Sequence, residues 1–221
     1  MKQFFLFLAL FSIILLLFVL ISNSLDLFPS LVQHYSLLGS LAIQMFIFFT
    51  ALFFLWKKDL RSTLHSIGFP GSPINTVIFT IVGLLLMFLL LVVLGVLATF
   101  GGFNDQEKIS DKVASLPLVV LLFAVLLAPI GEELFFRALL VPRFDNFFLK
   151  LIKIPHLGIF FSSVVFSISH FAYGSIVEIL GVFVIGILLA VIFKASKSIT
   201  PCIVIHMIYN GISILAMKLL E

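Results

Sequence analysis

Two adjacent carboxylates and a guanidinium, Glu132-Glu133-x-x-x-Arg137, close an apolar run that extends from Leu116 to Ile130. At membrane depth each such charge costs ~2.5–3.5 kcal/mol even on the lenient insertion scale, so it persists with a partner or a task. Glu133 and Arg137 stand four apart with the acid first, which puts them on one helix face in the order that favours an ion pair. Pairing lowers the cost of burying both. Glu132 points about a quarter-turn away from that face. It is assigned as general base, the carboxylate that takes a proton from water, with Glu133 and Arg137 as the orienting pair. The plain alternative for these three residues is a helix end that emerges into cytoplasm.

Two further stretches place polar groups of catalytic type in apolar surroundings. Phe166-x-x-x-His170 sets an imidazole one turn beyond an aromatic ring, and His206-x-x-x-Asn210 sets an imidazole and a carboxamide on one helix face. Each alone is explained as well by a packing hydrogen bond between helices. Three separate helices each carrying such residues are harder to dismiss together. Glu178 stands within two turns of His170 and, as a first-turn acid, also suits the start of its own helix. His34, His65 and His156 fall in links or at span edges. The single Cys202 excludes an internal disulfide and a cysteine-based metal cluster. There is no glycine-rich phosphate loop, no Gly-x-Ser-x-Gly elbow and no arginine-rich voltage sensor.

The elements that must position these residues are membrane helices. Of 221 residues 62% are hydrophobic and 10% charged, against about a quarter charged in soluble domains, so a soluble protein is excluded. Mean hydropathy is +1.33. Several apolar runs of membrane-crossing length make the chain an all-α, polytopic transmembrane helix bundle. Seven spans are expected, six and eight being the alternatives: Gln3–Ile21, Leu37–Trp56, Ile74–Phe100, the run from Leu116 that carries the glutamates, Pro155–Tyr173, Ser175–Phe193, and a last span from Thr200 and Pro201. Pro129 and Gly131 break the fourth just before its acids, which is tolerated where backbone is buried in protein or lines a wet cavity. Gly181 and Gly186 suit close helix packing in the sixth. The chain divides into helices 1–3 (residues 1–115) and a polar-bearing core (residues 116–221), within one integral membrane bundle.

Lys and Arg gather in the links 57–73, 141–154 and 194–198, whereas 22–36 and 172–175 have none. The positive-inside rule then puts the N-terminus in the cytoplasm of a multi-pass protein of the cell membrane. The 141–154 link mixes Arg143, Lys150 and Lys153 with Phe144, Phe147 and Phe148, as an interfacial amphipathic piece does. A net charge of +3 is ordinary for this arrangement, and no nucleic-acid partner is expected. Glu132 and His170 are equidistant in sequence from Leu151, so two arms of one hairpin bring them to matched height. His206 lies ~12 Å beyond its basic turn, which on straight helices leaves His170 roughly 10 Å nearer the opposite face.

Glu132-Glu133-x-x-x-Arg137, Phe166-x-x-x-His170 and His206-x-x-x-Asn210, in this order on successive helices, resemble the CPBP family. That family includes CAAX prenyl endopeptidases, bacteriocin-processing enzymes and Abi proteins. The resemblance covers about residues 116–217. It implies an intramembrane endopeptidase in which Glu132 and His170 activate a water while His206 and Asn210 stabilise the oxyanion. Glu133, Arg137 and Phe166 would support the site. The substrate would be a membrane-associated or membrane-delivered peptide or membrane protein, met in the lipid bilayer. No cofactor is required on this reading. Zinc held by Glu132, His170 and His206 is the alternative, although the zinc-protease motif His-Glu-x-x-His is absent. A non-proteolytic immunity or scaffold protein of the same fold is the alternative function.

Overall fold

The computed structural model describes residues 46–51, 53, 60–103, 113, 116–170 and 175–219. The expected first span, Gln3–Ile21, and most of the second lie outside the described residues. Among the described residues the elements are helices, with no strand. In chain order they are α1 (Leu60–Ser66), α2 (Pro73–Phe100), α3 (Leu118–Leu126), α4 (Ala128–Glu133), a π-helix (Leu134–Leu140), α5 (Val141–Ile152), α6 (Leu157–Ile168), α7 (Ile176–Ser196) and α8 (Thr200–Leu219). Four stretches among them are long and apolar enough to cross a membrane: Pro73–Phe100, Leu118–Ile152, Ile176–Ser196 and Thr200–Leu219. The protein is an all-α membrane helix bundle.

The expected fifth span, Pro155–Tyr173, lies partly outside the described residues, at 171–173. Its described helix is α6, of 12 residues, about 18 Å at 1.5 Å per residue and short of a ~30 Å hydrocarbon core. Polar side chains tighten its end: Ser169 Oγ donates to the Phe166 carbonyl at 2.6 Å, and the His170 amide bonds only three residues back, to Ser167. The loop expected at 59–73 also contains a short helix, α1.

The long stretch Leu118–Ile152 changes character twice. Pro129 supplies no amide to the turn before it, and α3 gives way to α4 at Leu127. Beyond Glu133 the backbone widens into the π-helix, where the Val141 amide reaches the Phe136 carbonyl five residues back. Pro142 gives a local reason, since its ring crowds the carbonyl four residues earlier in an α-helix, that of Ala138. α5 then continues the expected amphipathic piece. Its Arg143 turns inward and donates to the Leu139 carbonyl at 3.0 Å.

Lipid tails are as apolar as leucine, so packing and small residues rather than water exclusion hold membrane helices together. Met87 of α2, Ile185, Leu188, Leu189 and Ile192 of α7, and Cys202 and Ile205 of α8 form one buried cluster. Gly186 of α7 lets Ser163 and Phe166 of α6 approach, a Cβ there meeting them at 3.1–3.2 Å. Gly181, expected to serve likewise, faces open space. One end of the bundle is laced by polar contacts. Ser198 Oγ donates to the Gly68 carbonyl at 2.7 Å, the Ile199 amide to Ile67 at 3.0 Å, and the Gly71 amide to Thr200 Oγ1 at 3.1 Å. Asp145 at that end accepts the Gly158 amide and pairs with Lys194, which also contacts His156 Nδ1 at 2.6 Å. The links following α1, α5 and α7 therefore meet at one end.

Candidate active site

Glu132 and Glu133 end α4, and Arg137 stands one turn into the π-helix. All three are buried, with relative exposures of 3%, 0% and 1%, and so is His206 of α8 at 4%. Arg137 Nη1 lies 3.1 Å from Glu133 Oε1, the i,i+4 ion pair that the spacing indicates. Buried Nη1 and Nη2 make no aligned hydrogen bond, so this is a contact of charge. The guanidinium carbon sits 4.4 Å from the centre of the Phe166 ring, whose negative face attracts it.

His206 stands between the two glutamates. Its Nδ1–H donates to Glu133 Oε1 at 2.8 Å, because a carboxylate oxygen can only accept. Its Nε2 then faces Glu132 Oε2 at 3.6 Å. Glu133 thus touches both Arg137 and His206, fixing the ring by the nitrogen that faces away from Glu132. One acid orients the imidazole and the other meets its far side.

His170 adjoins this group across Phe166, whose ring packs edge-on against His170 at 4.8 Å and His206 at 6.0 Å. The Nδ1–H of His170 donates to the Phe166 carbonyl at 2.9 Å. Glu178 interacts electrostatically with His170, and its amide is capped by buried Ser175 Oγ at 3.0 Å. Asn210 is engaged at the helix break: its Nδ2 donates to the Ala124 carbonyl of α3 at 3.0 Å. Glu132, Glu133, Arg137, Phe166, His170 and His206 are therefore linked by contacts, whereas Asn210, on the same helix as His206, bonds to α3 instead.

A zinc ion would need three converging donors. Among the described residues no three His, Cys, Asp or Glu side chains gather as such a set. His206 has one nitrogen on Glu133 and the other facing Glu132. Glu132, His170 and His206 are thus not gathered as a three-ligand set.

Residues 114–212 match the family model described as type II CAAX prenyl endopeptidase Rce1-like. This segment is of the CPBP family. It contains every residue of the cluster just described, and the family is one of CAAX-type intramembrane proteases, so a protease-family core sits within these membrane helices. No curated protein and no solved structure matches the chain.

Sequence reasoning missed Ser162. Its hydroxyl donates to the Phe136 carbonyl of the π-helix at 2.7 Å. The signal was present as spacing: Gly158, Ser162 and Phe166 recur every fourth residue and share one face of α6, with His170 four residues beyond the last.

Proposed function

We propose that this CPBP-family protein is an intramembrane endopeptidase that hydrolyses a peptide bond with a water activated by Glu132, without a metal. The observation that carries the reading is the 3.6 Å approach of Glu132 Oε2 to His206 Nε2 inside the buried cluster that also holds Glu133 and Arg137. Polar groups at that separation are suited to share a water. In the reaction the water oxygen attacks the peptide carbonyl carbon while Glu132 takes one of its protons. The tetrahedral intermediate collapses, the C–N bond breaks, and that proton passes to the leaving amine. His170, across the Phe166 ring, assists in activating the water. His206 and Asn210 are the donors for the oxyanion: with its Nδ1–H on Glu133, His206 donates from Nε2 only as the imidazolium, and Asn210 has one N–H besides that given to Ala124. Glu133 and Arg137 support the site by holding the His206 ring.

The substrate class is a peptide or membrane protein that reaches the site from the bilayer or its cytoplasmic face, prenylated or not. The alternation of basic links supports a cytoplasmic N-terminus. The decisive measurement is peptide cleavage by the purified, reconstituted protein, with and without chelator. Glu132→Gln keeps size and removes the base, so cleavage falls by about 10²–10⁴-fold. Undiminished cleavage by this variant overturns the reading. Chelator-sensitive activity that zinc alone restores overturns its metal-free form.

A further inference from the structure

The π-helix is the least expected element of the site. Such helices are rare and mostly single-turn insertions, frequently at functional places. This one runs seven residues, Leu134–Leu140, and starts directly after Glu133. Pro142 crowds the Ala138 carbonyl but says nothing about where the widening should be held. The Phe136 carbonyl does: it accepts the Val141 amide from five residues on and, at 2.7 Å, the buried hydroxyl of Ser162. In an α-helix it would take the Leu140 amide instead.

α6 contacts this segment at three successive levels. At Gly158 an added Cβ would lie 2.1 Å from the Val141 carbonyl oxygen, so only glycine permits the approach. One turn on, Ser162 meets Phe136. One turn further, the Phe166 ring rests against the Phe136 ring at 4.9 Å and over the Arg137 guanidinium. The next residue in the series is His170. We propose that Ser162 is a positioning residue: its hydroxyl holds the π register and thereby sets where Arg137 stands against Glu133 and Phe166. The bond touches no reacting atom. Its effect on chemistry runs through Arg137 to Glu133 and from Glu133 to His206, and this kinetic part rests on the protease reading above.

The test uses the full-length reconstituted protein with Ser162→Ala and Ser162→Thr, read by amide hydrogen exchange and by peptide cleavage. Ser162→Ala speeds exchange about tenfold at the amides of Leu134–Val141, the effect of one lost buried hydrogen bond, and leaves α2 and α7 unchanged. It lowers kcat with KM unaltered. Ser162→Thr, which keeps the donor, restores both. Should Ser162→Ala fail to fold, Ser162→Cys, similar in size and a weaker donor, gives the same readings. Unchanged exchange at 134–141 overturns the proposal, as does a rise spread evenly over α2 and α7. A local rise in exchange alongside a wild-type protein that cleaves no peptide upholds the register lock and overturns the protease reading instead.

Discussion

Helix α2 and the stretch from Ala128 to Val141 are both apolar enough to sit in lipid, yet they have opposite surroundings. Over its 28 residues α2 buries only Thr80, Gly83, Met87 and Ala98, and turns Leu85, Phe88, Val92 and Leu97 outward. From Ala128 to Val141 all but Ile130 and Leu134 are buried. Both belong to stretches long and apolar enough to cross a membrane. What separates them is charge: Glu132, Glu133 and Arg137 need protein on every side, because a polar group left to hydrocarbon costs several kcal/mol. The polar residues therefore specify which apolar segment is wrapped and which does the wrapping.

That contrast breaks first at Arg137. Arg137→Met leaves the buried Glu133 carboxylate without its cation, and unfolding free energy in a denaturant titration in micelles should fall by about 3–5 kcal/mol. A loss no larger than that of an outward α2 residue would mean the cluster is wet and uncommitted. Gly158→Ala is the next largest. The added methyl must push α6 from the Val141 carbonyl, at a cost of about 1–3 kcal/mol by the same titration. Smallest is Leu85→Ala on the outer face of α2, expected within about 0.5 kcal/mol of wild type. A core-sized loss there would show that α2 has a protein neighbour on that face.

Much of this was legible beforehand, for identifiable reasons. Hydropathy and end signals placed α2, α7 and α8 within a residue or two of their starts, and the i,i+4 rule gave the Glu133–Arg137 pair. Pro129 announced the break between α3 and α4. The shortness of α6 was hidden, because Ser167-Ile168-Ser169 is apolar enough on average to pass for more helix. Only the hydroxyl bond back to Phe166 shows where it ends. The π-helix was hidden as well, since Leu134–Leu140 has the composition of any buried helix and its register is supported from α6. Straight-rod arithmetic also left His206 unresolved. It could not anticipate that Glu133 would grip one ring nitrogen and turn the other toward Glu132.

The carboxamide of Asn210 has two N–H groups, and one is spent on the Ala124 carbonyl just ahead of the proline break. It can thus offer a reacting oxygen a single proton while keeping its grip on the neighbouring helix. Any ligand that claimed both would break that bond between α8 and α3, leaving the apolar packing of Leu121 with Ile214 and Met217 to hold the two together.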